Sequence, residues 1–223
     1  MNEADRIARA YKDLEASGPD RWSPANPGNQ AILAERRRRT RLLLGSVAGR
    51  RVLEVGSGRG GELAWLMELG AEPAQLTGVD LLEDRVAAAR VAHPGLDFRV
   101  GNAEHLEFED ASFDLVMAIT VFSSILDPAM AGNVAAEVVR VMKPGGALLW
   151  YDFRYDNPSN RDVRGVSAAA VWRLFPDLKG ELTGLTLLPP LARGLGPLTS
   201  AAYPVLSKVP PLQSHLLGLL HKG

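Results

Sequence analysis

The 223-residue chain has no cysteine, which excludes a disulfide framework, a thiolate nucleophile and a zinc site of the cysteine type. Histidine is scarce too. The four His, at 93, 105, 215 and 221, show no ligand spacing, so no resident metal is expected. Neither sign of charge is in excess: 25 Lys plus Arg stand against 26 Asp plus Glu. No global field therefore draws the chain toward nucleic acid or an anionic membrane, although local patches stay open. Long hydrophobic runs are also missing, since no stretch reaches about 18 uninterrupted apolar residues and the apolar segment 185–206 is broken by prolines and Arg193. The opening "MNEADRIARAYKDLEASG" is charged from residue 3 and lacks the apolar core of a secretory signal. A cytoplasmic protein without a transmembrane segment is expected.

What is present suits one packed domain, because 46% of the residues are hydrophobic and the length is generous for a single core. Residues 1–45 read as a helical lead-in or lid: a helix over 3–16, a Pro- and Gly-rich loop over 17–29, and a helix carrying "ERRRRTRLLL". The run Arg36 to Arg39 reads as a solvated helix face, with Leu42, Leu43 and Leu44 as its buried side. From 46 to 223 strand and helix take turns. Strands are expected at 51–55, 75–80, 96–100, 113–119, 147–152, 181–188 and 214–220. Helices are expected at 61–69, 83–92, 132–142 and 167–175, with a turn at "KPGG". Continuous apolar strands such as "LVMAI" and "ALLWY" fit a parallel sheet covered on both faces, hence an α/β, doubly wound, Rossmann-like fold.

In such a sheet the first strand-to-helix turn cradles the ligand. Here that turn reads "VLEVGSGRGG". Gly56, Gly58 and Gly61 satisfy the dinucleotide pattern, in which bare backbone amides approach a pyrophosphate. Glu54 argues otherwise. A carboxylate two residues before the turn repels phosphates and attracts an ammonium group.

Together with "LTGVDLLEDRVAAAR", "FRVGNAEHLEF", "FDLVMAITVF" and "MKPGG", this stretch resembles the class I S-adenosylmethionine-dependent methyltransferases of the type-11, small-molecule and quinone-methylase kind. The resemblance implies a seven-stranded, mostly parallel sheet whose last strand is antiparallel, and S-adenosylmethionine as cofactor. It implies that Gly56, Ser57 and Gly58 close over the methionine and ribose portions, with Glu54 at the α-amino group. Asp80 would take both ribose hydroxyls and Leu81 would cover one adenine face. Asn102 and Ala103 would meet the adenine edge, and Ile119 would lie near the methionine portion. Most relatives carry Asp where this chain has Asn102; either side chain offers an acceptor oxygen.

The expected reaction is methyl transfer to a small-molecule acceptor, at a hydroxyl of a carbohydrate or natural-product intermediate. The rival readings are a nicotinamide-dependent oxidoreductase and a methyltransferase-fold protein that binds S-adenosylmethionine without transferring methyl. Tyr11 and Trp22 of the lead-in are candidate acceptor-site residues, as are Tyr151, Arg154 and Tyr155 of the polar loop near 152–166. By resemblance the seventh strand lies between the fifth and sixth, which brings His215 toward Asp152 as a candidate Asp–His base. His105 is its rival, and a purely structural tie between two strands is the alternative. No nucleic-acid partner is expected, and the sequence leaves the oligomeric state open.

Overall fold

The computed structural model describes residues 2–16, 23–157 and 160–223. Its sheet contains β1 (Val52–Val55), β2 (Leu76–Asp80), β3 (Asp97–Val100), β4 (Phe113–Ile119), β5 (Met142–Phe153), β6 (Leu178–Leu187) and β7 (Gln213–Lys222). Their spatial order is β3-β2-β1-β4-β5-β7-β6. The first five run parallel, and β7 is antiparallel to both of its neighbours. The order reverses between β1 and β4, and that switch point opens a crevice at the carboxyl ends of the strands.

Each face is covered because the central strands are apolar on both sides. On one face Leu53, Val55, Val116, Leu148 and Trp150 pack beneath α5 (Pro128–Val141) and α6 (Ala168–Leu174). The stripe Met130, Val134, Val138, Val141 explains why α5 lies there: steps of three and four residues keep these side chains on one side of the helix. Ile7 of α1 (Glu3–Ala16) joins this face. On the other, Val52, Leu76, Leu115, Met117 and Leu149 meet α2 (Pro27–Leu44), α3 (Gly61–Trp65) and α4 (Glu83–Ala92).

The expected fold is present, with four local differences. Helix α5 starts at Pro128 rather than 132, because Asp127 caps it by accepting from the Ala129 amide and Pro128 suits the first turn. "KPGG" lies inside β5, where the register with β4 shifts between Phe113 and Leu115. The proline-broken segment folds as α7 (Pro189–Gly194) and α8 (Thr199–Leu206), which pack on α2. Finally, Leu44 alone of the three expected leucines is buried; Leu42 is 69% exposed and Leu43 43%. Among the described residues no helix is long and apolar enough to cross a membrane.

Candidate active site

A cavity of about 420 Å³ opens at the switch point. Every residue expected to hold the cofactor lines it: Glu54, Gly56, Ser57, Gly58, Asp80, Leu81, Asn102, Ala103 and Ile119. The turn after β1 needs glycine on geometric grounds. Gly56 and Gly58 have φ of 67° and 53°, and a Cβ on Gly56 would stand 2.8 Å from Val121. A Cβ on Gly58 or Gly61 would meet nothing within 4 Å, so the backbone there faces open space.

Asp80 is buried at the end of β2. Its Oδ2 accepts from the Gly58 amide at 2.7 Å, and its Oδ1 from the Leu82 amide at 2.9 Å. A carboxylate has about four acceptor positions, so two amides leave capacity for a diol. At the other end Glu54 is 3% exposed, and its Oε2 has no hydrogen-bond partner. Burial pushes its carboxyl well above the usual range, the nearby Glu62 adds to the rise, and Arg36 opposes it. The Ser57 hydroxyl is equally unpartnered. An orphaned buried carboxylate oxygen beside an open glycine turn fits an ammonium group, and Asp80 fits vicinal hydroxyls; S-adenosylmethionine carries both.

Arg36 is the residue the sequence reading missed. It lines the cavity, reaches Glu62 at 2.6 Å and lies over the Tyr151 ring at 5.1 Å. Arg37 also turns inward, to the Gly61 carbonyl and Glu62 at 3.2 Å each. Half of the arginine run is therefore not a solvated face. The buried residues Thr40 and Leu44 mark the inner side of α2, and Arg36 precedes them by four and eight positions.

The remaining candidates divide. Tyr11 lines the cavity, its hydroxyl 2.9 Å from Ser124 Oγ, with Arg85 over its ring at 4.3 Å. Asn102 Oδ1 accepts from the Glu104 amide, so part of its polarity shapes the turn. Tyr151 does not line the cavity; it is buried under α2 with its hydroxyl 2.8 Å from Thr186 Oγ1. Arg154 lies over the Tyr155 ring at 4.6 Å, and neither lines the cavity. Trp22 lies outside the described residues.

The Asp152–His215 pair does not form. In the β5–β7 register Phe153 lies opposite His215 and Asp152 opposite Leu216. Side chains alternate, so His215 and Asp152 leave opposite faces of the sheet. His215 stacks on Tyr151 at 4.5 Å, with Nδ1 2.8 Å from Ser214 Oγ. Burial, then Arg36, pushes its pKa down to about 3, the reverse of an activated base. Asp152 instead accepts from the amides of Ser123 and Phe153. His105 does not line the cavity either.

Fold and site define a nucleotide-binding α/β domain that takes a cofactor bearing an amino acid and a ribose. Residues 53–150 match the type-11 methyltransferase family, described as a methyltransferase domain. That stretch resembles the class I S-adenosylmethionine-dependent methyltransferases, and the match indicates S-adenosylmethionine as the cofactor. The chain is 44% identical over 116 residues to a phthiotriol/phenolphthiotriol dimycocerosates methyltransferase of Mycobacterium ulcerans, covering 51% of this chain and 40% of that one. It is 43% identical over 116 residues to a fatty-acid O-methyltransferase of Mycolicibacterium smegmatis, covering 50% and 41%. The matched stretch is thus about two fifths of either relative's length. Among solved structures, an S-adenosylmethionine-dependent methyltransferase from Mesorhizobium loti shares the fold with a TM-score of 0.62 at 18% identity, covering 89% of this chain and 99% of that one.

Proposed function

We propose that the chain transfers a methyl group from S-adenosylmethionine to an oxygen of an apolar small molecule. The observation that carries the reading is the unpartnered Glu54 oxygen at one end of the cavity with Asp80 at the other. When bound, the cofactor supplies an electrophilic methyl group on a sulfonium. The chain's own task is to orient the acceptor and exclude water. Helix α1 serves this as a lid. Ile7 and Tyr11 of α1 line the cavity, and Glu3 fastens the helix by accepting from the Leu126 amide at 2.6 Å. Arg6 ties the lid to the loop at 152–166 through Asp162, at 3.0 Å.

The cavity wall supports an apolar acceptor. Ile7, Val121, Ile125, Met130 and Val134 are aliphatic, and the Tyr11 and Ser124 hydroxyls lie within hydrogen-bond distance of each other. A sugar's many hydroxyls would find few partners there. Of the two classes the sequence suggests, an apolar natural product or lipid fits better than a carbohydrate. The relatives' names, on dimycocerosates and on a fatty acid, point the same way. An acceptor carboxylate arrives ionised and needs no base, which agrees with the absence of the Asp152–His215 pair.

The test has two stages. S-adenosylhomocysteine should bind in calorimetry, and labelled methyl should then pass from S-adenosylmethionine to the carboxylate of a long-chain fatty acid but not to a monosaccharide. Tight binding with transfer only to the sugar would overturn the acceptor class. No binding at all would overturn the site.

A further inference from the structure

Strands β6 and β7 are adjacent and antiparallel, a pairing that a turn of a few residues can connect. This chain instead inserts residues 189–212, with α7 and α8. One side of the insertion is accounted for. Leu187, Ala192 and Tyr203 pack against Ala31 and Ile32 of α2. A Cβ on Gly28 would come within 2.2 Å of the Ala192 carbonyl, and the Tyr203 hydroxyl donates to Glu35 at 2.8 Å.

Among the described residues the other side has no protein cover. Leu198 and Val205 are each 66% exposed, Leu191 38% and Val209 39%. Pro197, Ala201, Pro204, Pro210 and Pro211 are exposed between them. No Asp or Glu occurs from residue 182 to residue 223, while Lys208 stands exposed in the same patch.

Helix α2 continues this surface. Residues 28, 31, 32 and 35 form the stripe that meets the insertion, and steps of three and four carry the stripe on to 38, 39, 42 and 43. Those positions hold exposed Arg38 and Arg39 and the exposed Leu42 and Leu43. Arg36, Arg37 and Arg41 make the ion pairs of this helix, and among the described residues Arg38 and Arg39 make none.

Single exposed aliphatics are ordinary on a protein surface. Aliphatics interleaved with cations, the one acid of the stripe, Glu35, being taken up by the Tyr203 hydroxyl, make an interfacial surface: apolar side chains enter the acyl boundary while Arg and Lys meet anionic headgroups. A symmetric dimer would set the patch against itself, bringing Arg38, Arg39 and Lys208 close to like charges. We propose that residues 189–212 and the last turns of α2 form a face that docks on an anionic lipid surface. It extends the apolar-acceptor reading, because α2 carries the docking stripe on one side and Arg36 in the cavity on another. It rests on the surface residues alone.

The test is co-sedimentation of the full chain with sucrose-loaded vesicles of phosphatidylcholine, alone or with about a third phosphatidylglycerol. Binding should be at least about tenfold stronger to the anionic vesicles. Leu198→Ser with Val205→Ser should lower that binding about tenfold through lost apolar insertion. Arg38→Gln with Arg39→Gln should lower it about tenfold and remove most of the preference for phosphatidylglycerol. Both double variants should bind S-adenosylhomocysteine as the parent does, which shows that they are folded. Equal binding to both vesicle types, or parent-like vesicle binding by either variant, overturns the proposal. So does a concentration-dependent dimer that Leu198→Ser with Val205→Ser abolishes, since the face would then belong to a second copy. Vesicle binding without methyl transfer to any acceptor would count against the acceptor reading and leave the docking face standing.

Discussion

Asp80 Oδ2 accepts a 2.7 Å hydrogen bond from the Gly58 amide, so the acid that ends β2 also fastens the glycine turn that follows β1. One residue thus holds the shape of the cradle and faces its contents. Asp80→Ala should weaken S-adenosylhomocysteine binding at least tenfold, since charge-assisted hydrogen bonds contribute about 1.5–3 kcal/mol each. It should also lower the melting temperature, because the Gly58 amide loses its acceptor. Asp80→Asn keeps one acceptor oxygen and should melt nearer the parent while binding stays weak. Calorimetry and thermal melting measure the two effects separately; parent-like affinity in the Ala variant would remove Asp80 from the site.

Glu54→Gln should move stability and binding in opposite directions. The Glu54 carboxyl titrates above its unfolded value because of burial, so its favourable contribution is present at low pH and is lost as pH rises through the folded value. The Gln variant has no charge to bury and should be at least as stable as the parent at pH about 8. Its affinity for S-adenosylhomocysteine should nevertheless fall at least about tenfold, since the ammonium loses its counter-charge. In the parent, binding should release a proton. Calorimetry in two buffers of different ionisation enthalpy should then give different apparent enthalpies for the parent and the same one for the variant. Identical behaviour of the two proteins would place the ammonium elsewhere.

The succession of strands along the chain, the glycine turn and the acids Glu54 and Asp80 are legible in the sequence because each is set by residues close together in the chain, whereas the place of β7 between β5 and β6 comes from the family resemblance. Apolar runs mark buried strands, and the glycines mark positions with φ near 60°. Three other features depend on partners far away. Helices α7 and α8 are short and proline-flanked, and α2, some 160 residues earlier, gives them their packed side. Four adjacent arginines look alike until the phase of α2 on the sheet is known; Thr40 and Leu44 set that phase, whereas Leu42 and Leu43 mislead. The faces of Asp152 and His215 depend on a one-residue register, Phe153 opposite His215, which no local pattern encodes.

Arg36 offers the sharpest separation within the cavity. Its guanidinium bonds Glu62 at the Glu54 end, so it would meet the carboxylate of the cofactor's amino acid. Arg36→Gln should weaken S-adenosylhomocysteine binding about tenfold, the scale of a lost charge-assisted contact. It should leave 5′-methylthioadenosine, which lacks the amino acid, bound as in the parent. Equal losses for both ligands would mean that Arg36 only packs α2 against the sheet.

His215 and Asp152 should shape stability against pH rather than turnover. Burial lowers the His215 pKa from 6.5 to about 3, so its contribution is complete above pH 6.5 and is lost as pH falls toward 3. Asp152 is raised from 3.8 to about 6, so its contribution is complete below 3.8 and is lost as pH rises through 6. The two slopes oppose each other between about pH 4 and 6. Each is therefore read from the variant that lacks it, and neither slope exceeds the limit of about 1.4 kcal/mol per pH unit for one proton. Relative to the parent, stability should rise less with pH between about 4 and 6 in His215→Asn, whose amide can still reach Ser214, and should rise more in Asp152→Asn. Urea unfolding at a series of pH values measures this directly. At neutral pH His215→Asn should also transfer methyl within about threefold of the parent, because removing a general base costs about 10² or more and His215 has no place in the cavity. A hundredfold loss of turnover with an unchanged acid slope would put the imidazole back in the reaction.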